Sequence, residues 1–198
     1  MNTPVRFHTA ATRALSRLST SRANARAGLA ADATVAIGLL AAGVHAGARP
    51  AATAALAVIA GLFAFSFTEY AVHRWIFHGV AGAFAAGHTH HHDDPASDDA
   101  LPFFIAPLAM LGLAVLLHAA MPAADAWLAA GGLAAGYALY GIGHTIMHMR
   151  RFRTPWLRDW AAPHHIHHAH PECNFGVTSP LWDALLGTRY ARRGPSAR

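Results

Sequence analysis

Four long stretches without a charged residue run through the chain, separated by Arg49, by the segment 69–99 and by Asp125. A helix needs about 20 apolar residues to cross the hydrocarbon core of a bilayer, so each stretch crosses it or nearly does, the first if it extends past Asp32. Arg49-Pro50 joins the first two stretches, and Met121-Pro122 joins the last two. The pattern predicts an all-α integral membrane protein with four transmembrane helices in two hairpins. The stretches are residues 33–48, 50–68, 100–124 and 126–149.

The composition favours this interpretation over a soluble protein with buried helices. Of the 198 residues, 54% are hydrophobic and 13% are charged, whereas about 25% of the residues of a soluble domain are charged. The length suits one domain. We expect a basic N-terminal tail over residues 1–30, a membrane domain over 31–190 and a C-terminal tail over 191–198.

The arginines predict the orientation of the helices. Five precede the first stretch, eight follow residue 149, and only Arg49 lies at a hairpin tip. Because positive residues accumulate in cytoplasmic segments, both termini and the loop 79–99 are predicted to be cytoplasmic. Residues 1–30 resemble a transit peptide in composition, but we interpret them as a cytoplasmic tail. The expected location of this multi-pass protein is the inner membrane of a bacterium.

Sixteen histidines are the unusual feature of the composition, and Cys173 is the single cysteine. A metal ion must therefore be held by imidazoles or carboxylates rather than by a thiolate site. The pattern His-x-x-His-His occurs twice, and two further pairs are spaced by five and by four residues. All of these clusters fall on the predicted cytoplasmic side, which predicts a histidine-rich metal-binding cap there. The ten histidines are His73, His78, His88, His91, His92, His144, His148, His164, His167 and His168.

Ten imidazoles are too many for one ion and suit two ions with about five ligands each. Imidazole binds zinc, copper, iron or nickel, so the ligand type leaves the metal open. His144 and His148 share one face of a helix, whereas His73 and His78 lie about 140° apart on an ideal α-helix and can reach one ion or two. We expect no ligand role for the other six, His8, His45, His90, His118, His165 and His170.

Two carboxylates are expected near the ligands. Glu69 lies one turn before His73. It can hydrogen-bond the second nitrogen of a metal-bound histidine and fix its tautomer, or it can simply be an acidic residue at the membrane boundary. Asp183 is the second expected neighbour of the ligands.

The order and spacing of these motifs resemble the fatty acid hydroxylase superfamily over about residues 65–190. Within it, the first motif and the ending are most similar to fatty acid 2-hydroxylases, although Gly141, Met149 and Leu186 stand where Asp, His and Phe are usual. The resemblance rests on Glu69-Tyr70-x-x-His73-Arg74-x-x-Phe77-His78, on both His-x-x-His-His copies, on Gly136-Tyr137-x-x-Tyr140-x-x-x-His144-x-x-x-His148, on Phe175-Gly176-Val177-Thr178-Ser179 and on Trp182-Asp183-x-x-Leu186-Gly187-Thr188.

The resemblance implies a membrane di-iron monooxygenase that hydroxylates a C–H bond of a lipid, using O2 and two electrons from a separate donor. A fatty acyl or sphingolipid substrate is favoured, and a sterol or carotenoid hydroxylase or desaturase is the alternative. The ten histidines are then the ligands of two iron ions, for which zinc can substitute in purified protein. The donor would be a ferredoxin or a b-type cytochrome with its reductase, and no nucleic acid is expected as a partner.

Four aromatic residues near the histidine motifs can line the path of the lipid, although each alone can be an interfacial anchor. Functions of other classes are a metal-dependent lipid hydrolase and a metal transporter or store. A transporter should carry ionisable ligands at mid-membrane depth, whereas these histidines gather at one face. The four aromatic residues are Trp75, Phe77, Tyr140 and Trp156.

Overall fold

The computed structural model describes residues 10–80 and 82–191, and the side chains from residue 14 onward within them. The predicted tail residues 1–9 and 192–198, with His8, lie outside this part. The described residues form helices and no strands, so the all-α prediction is confirmed. The α-helices are α1 (Ala10–Ser19), α2 (Arg22–His45), α3 (Ala51–Ala71), α4 (Ala83–Asp93), α5 (Ile105–Ala120), α6 (Ala123–Met149), α7 (Pro155–Ala169) and α8 (Leu181–Leu185). A π-helical turn, Val72–Phe77, continues α3.

The helix α6 is the centre of the bundle, and α2, α3 and α5 pack against it. Its alanines and glycines are buried along most of its length. A Cβ added to Gly132 would lie 2.3 Å from the carbonyl oxygen of Val58 in α3, and one added to Gly61 would lie 2.0 Å from that of Ala129 in α6. The backbones of α3 and α6 therefore approach each other closely because glycine stands at both contacts.

We expect Gly132→Leu to destabilise the bundle by more than about 2 kcal/mol, because the side chain must push α3 away from α6. The measurement is thermal unfolding in detergent. Gly38→Leu in α2 is the matched control, because nothing lies within 4 Å of a Cβ placed there. Equal unfolding temperatures for the two variants would contradict the close contact.

The first predicted stretch proves to be part of a longer helix. Helix α2 begins at Arg22 rather than near residue 33, because the Ser21 side chain accepts a hydrogen bond from the backbone N–H of Asn24 and caps the helix. Asn24 is buried, and its side chain bonds the backbone of Leu101 and Phe103. These contacts attach the start of α2 to the segment that precedes α5.

Two helical segments, Arg22–His45 and Ala51–Phe77, are long and apolar enough to cross a membrane by length and composition. Only 17% and 11% of their most apolar windows are buried, whereas the core helix of a soluble protein would be mostly buried. Helix α5, with 16 residues, is shorter than the predicted third span because it begins only at Ile105. These two segments indicate a membrane protein, and the prediction of four crossings stays a prediction.

The two ends of the bundle differ in chemistry. At one end, Arg49 in the α2–α3 connection forms an ion pair of 2.8 Å with Asp125 in the first turn of α6. This contact brings the two predicted hairpin tips together. The histidine-bearing ends of α3 and α6 lie at the opposite end, together with α4 and α7.

Candidate metal centre

The ten histidines selected by their spacing converge into two groups of five. Within each group, every ring offers one nitrogen, and these nitrogens all lie within 4.8 Å of one another. The first group is His73, His78, His88, His92 and His167. The second group is His91, His144, His148, His164 and His168.

The spacing of the nitrogens fits a metal ion in each group. Neighbouring Nε2 atoms are 2.9–3.1 Å apart in the first group and 2.9–3.3 Å apart in the second. Two nitrogens at right angles around an ion that binds imidazole at about 2.1 Å would be about 3.0 Å apart. The Nε2 atom of His91 is buried with no hydrogen-bond partner in the described part of the chain, as expected for a nitrogen whose partner is an ion.

Three consecutive histidines in α4 have three different surroundings. His92 belongs to the first group and His91 to the second. His90 points to the surface, where its Nδ1 atom pairs with the Asp99 carboxylate. That hydrogen bond, together with the negative charge of Asp99, raises the pKa of His90. His90 therefore lies outside both groups.

Three further histidines for which no ligand role is expected also lie outside both groups. The Nε2 atom of His165 is 3.2 Å from the carbonyl oxygen of Met147, and the His170 ring stacks on Tyr190. The ring of His118 lies near Trp127. None of these three histidines belongs to either group, and their lack of a ligand role stays a prediction.

The π-helical turn resolves the geometry of His73 and His78. The backbone N–H of His78 donates to the carbonyl of His73 at 3.2 Å, five residues back. This wider turn places the two rings on one side, with centroids 5.1 Å apart, although an ideal α-helix would separate them by about 140°. The π turn is therefore the reason that both histidines belong to one group.

Backbone carbonyls orient two rings of the first group. The Nδ1 atom of His73 lies 2.5 Å from the carbonyl oxygen of Phe175, and that of His167 lies 2.7 Å from the carbonyl oxygen of Cys173. A carbonyl can only accept, so both Nδ1 atoms carry the proton, and both Nε2 atoms are left with a free lone pair. This is the tautomer that binds a metal ion through Nε2.

Glu69 and Asp183 hold the segment that supplies these carbonyls. The backbone N–H groups of Val177 and Thr178 donate to the Glu69 carboxylate at 2.5 and 2.9 Å, and the Thr178 hydroxyl donates to its other oxygen. In the structure a backbone loop, rather than a histidine nitrogen, therefore occupies the Glu69 carboxylate. Glu69 is also buried, unlike an acidic residue at a boundary.

Asp183 is fully buried and accepts from the backbone N–H groups of Phe175 and Gly176, both at 2.8 Å. The Thr188 hydroxyl donates to the same carboxylate at 2.7 Å. Gly187, with a φ of 70°, makes the turn that brings Thr188 back to Asp183. Asp183 therefore acts on the first group through the loop 173–178, which we call the carbonyl loop. Sequence reasoning missed this loop as a source of contacts, although its motif was visible in the resemblance.

Burial keeps the imidazoles neutral. Burial, followed by the charges of His148 and His92, lowers the pKa of His91 to about 4. Burial also lowers the pKa of His167 to about 3, against the raising effect of its bond to Cys173. A neutral imidazole is the form that binds a metal ion.

These shifts predict an acid-sensitive metal-free protein. Unfolded histidines take up protons near pH 6.5, whereas the folded ones resist protonation down to about pH 4. Between these values the unfolded chain binds more protons, so the free energy of unfolding must fall as the pH falls. We expect the unfolding temperature of chelator-treated protein to be nearly constant above pH 7.5 and to decrease steadily from pH 6.5 to 4.5. A temperature that rises on acidification would contradict this.

The four predicted lining residues have different surroundings. Phe77 stacks on His88 with an interplanar angle of 25°, and Tyr140 stacks on His144 at 9°. Trp75 and Phe77 each line a groove beside His78. Trp156 is 67% exposed at the start of α7 and lines neither groove. A role in lining the path of the lipid stays a prediction for all four residues.

Comparison with known proteins agrees with the motifs. Residues 58–188 match the family model described as fatty acid hydroxylase. The chain is 31% identical over 144 residues to a dihydroceramide fatty acyl 2-hydroxylase of Arabidopsis thaliana, covering 67% of this chain and 60% of that protein. It is 32% identical to the fatty acid 2-hydroxylase of Homo sapiens, over 65% of this chain and 38% of that protein. The chain thus spans about three fifths of the plant relative.

A solved structure supports the fold. The described fold superposes on full-length scs7p, of which only the hydroxylase domain is visible, with a TM-score of 0.73. The match covers 93% of this chain and 72% of that chain at 21% identity.

Proposed function

Because the chain belongs to the fatty acid hydroxylase family, we propose that it is a membrane monooxygenase that hydroxylates carbon 2 of a lipid acyl chain. The observation that carries the proposal is the pair of five-histidine groups, whose nitrogens are spaced for two metal ions. The named relatives are 2-hydroxylases of fatty acids or dihydroceramides. Two iron ions held by these groups would supply the redox chemistry that activates O2.

The protein's part is to position the ligands and to exclude water. The carbonyl loop fixes the tautomers of His73 and His167. Phe77 and Tyr140 cover the faces of His88 and His144. These contacts hold the rings in one geometry and keep water away from their apolar sides.

The reaction needs an electron donor. Conversion of R–H to R–OH with O2 consumes two electrons and two protons and releases one water. We propose that the donor is a ferredoxin or a b-type cytochrome with its reductase. Arg150, Arg151 and Arg153 are exposed between α6 and α7, directly after the histidine-bearing end of α6, and they suit an acidic partner.

Labelled oxygen tests the function. Cells that express the chain with a competent reductase are grown under ¹⁸O2, and their extracted lipids are analysed by mass spectrometry. We expect acyl chains that carry one ¹⁸O atom at carbon 2, and none in cells with an empty vector. A new hydroxyl group that contains no ¹⁸O would have taken its oxygen from water and would contradict the monooxygenase function. An ¹⁸O-labelled sterol or carotenoid would show that the substrate is not an acyl chain.

We also propose that four helices cross the bilayer and that both termini are cytoplasmic. The apolar exposed surfaces of α2 and α3 and the clustering of the histidines at one end support this arrangement. A cysteine added after Arg198 should react with a membrane-permeant maleimide and not with an impermeant one in intact cells. Labelling by the impermeant reagent would show that the C-terminus lies outside the cell and that the proposed topology is wrong.

A further inference from the structure

A groove of about 510 Å³ lies beside the first histidine group. A smaller groove of about 250 Å³ lies on another side of His78, and no arginine, aspartate or glutamate lines it. Both grooves therefore reach His78, but of the two only the larger one is also lined by a cationic side chain, that of Arg74. It is lined chiefly by Arg74, Trp75, His78, Glu172, Phe175 and Thr188.

The Arg74 guanidinium is held in place and retains donors to spare. Its Nη1 atom donates to the Tyr70 hydroxyl at 2.8 Å. Its central carbon lies 5.8–5.9 Å from the ring centroids of Tyr70, Trp75 and Phe175. Within residues 10–80 and 82–191, no ion pair joins Arg74 to a carboxylate. A guanidinium has five N–H donors, so Arg74 can bind an oxygen of a molecule in the groove.

An aromatic strip leads away from this groove along α3. The Trp75 ring lies 6.3 Å from Phe67, Phe67 lies 4.8 Å from Trp182, and Trp182 lies 5.4 Å from Phe63. Trp75, Phe67 and Phe63 are 47%, 39% and 55% exposed. From residue 63 to residue 75 the helix rises about 18 Å. The strip is therefore long enough to lie along much of an acyl chain on the apolar surface of α3.

We propose that Arg74 binds the carbonyl oxygen at the head of the substrate's acyl chain, while the chain follows the aromatic strip. The inference rests on the proposed hydroxylase function and adds the residue that sets the position of the reaction. Arg74 lies in the π turn and His78 directly follows it, and both residues line one groove. Carbon 2 is bonded directly to the carbonyl carbon, so a carbonyl held at Arg74 brings carbon 2 toward the first histidine group.

The second charged residue of the groove limits the head group. Glu172 is exposed, and its carboxylate is 3.8 Å from the Nδ1 atom of His170. Its negative charge opposes a doubly charged phosphate most strongly and a singly charged carboxylate less strongly, and it does not oppose a neutral amide carbonyl. The recognised chemistry is therefore an acyl carbonyl, whether it belongs to a free fatty acid or to an N-acyl lipid.

Binding to the metal-loaded protein without a reductant tests the proposal independently of hydroxylation. The probes are radiolabelled hexadecanoic acid, N-hexadecanoylsphinganine and, as a probe without a carbonyl, hexadecane. We expect Arg74→Gln to raise the Kd of at least one carbonyl probe about tenfold or more and to leave the Kd of hexadecane unchanged. Arg74→Lys should restore part of the affinity. An effect on one carbonyl probe alone identifies the head group.

Two controls exclude a structural explanation. Tyr70→Phe removes the hydroxyl that Arg74 contacts but keeps the guanidinium, and it should raise the Kd less than threefold. The metal content of Arg74→Gln should equal that of the wild type. Equal Kd values for wild type and Arg74→Gln, an equal loss in Tyr70→Phe, or loss of metal would overturn the proposal. If the wild type binds the probes but forms no product, the hydroxylase function fails while the groove assignment stands.

Discussion

Replacement of His90, His91 and His92 by alanine, one at a time, should give three different metal contents. We expect His90→Ala to retain two ions per chain, because His90 lies outside both groups and pairs with Asp99. His91→Ala and His92→Ala should each lose about one ion, because each takes a ligand from one group. Both losses should reduce hydroxylation at least about 10³-fold, since a two-metal reaction requires both ions. Metal analysis of purified protein provides the measurement, and His90→Ala is the matched control.

Double variants determine which group has lost its ion. His91→Ala combined with His168→Ala removes two ligands of the second group and should still leave one ion per chain. His91→Ala combined with His92→Ala removes one ligand from each group and should leave close to none. If both double variants contain the same amount of metal, the division into two groups of five is wrong.

The second large effect is expected for Asp183→Asn. The amide places an NH2 group where the carboxylate accepts from the backbone of Phe175 or Gly176, so one buried N–H loses its acceptor, at a cost of about 1–3 kcal/mol. The carbonyl loop then releases the Nδ1 atoms of His73 and His167. Both histidines belong to the first group. We expect metal affinity to fall about 10–100-fold there, with a much smaller effect on the second group.

A metal competition titration with a chromophoric chelator measures this selectivity. The matched control is Asp159→Asn, because Asp159 is exposed on α7. Equal weakening of both ions in Asp183→Asn would show that the carboxylate supports the whole fold rather than the first group. An unchanged titration would show that the carbonyl loop does not position these ligands.

The candidate site could be predicted from the sequence further than the fold could. Spacing alone separated His88, His91 and His92 from His90, because a repeated motif specifies which positions face inward. The partition of the ten histidines could not be predicted, since it depends on how α4 and α7 lie between α3 and α6. The π turn could not be predicted either, because the expected positions of His73 and His78 assumed an α-helix with 3.6 residues per turn.

Each of the four predicted apolar stretches contains a helix, but the helices differ from the stretches in extent. Helix α2 begins closer to the N-terminus than predicted, because the Ser21 side chain caps it with one hydrogen bond that the hydrophobic pattern does not indicate. Hydrophobicity did not show that α6 is the central helix. That role depends on small residues such as Gly132, whose lack of a side chain permits contact between backbones.

The π turn at Val72–Phe77 has a consequence for local opening of the chain. A π turn is less favourable than an α turn and persists only where its surroundings require it. His73 and His78, at the two ends of the turn, belong to the same group. An ion bound by both rings would therefore stabilise the π turn. Amide hydrogen exchange in this turn would then report metal release one group at a time, while α6, buried in the bundle, remained protected.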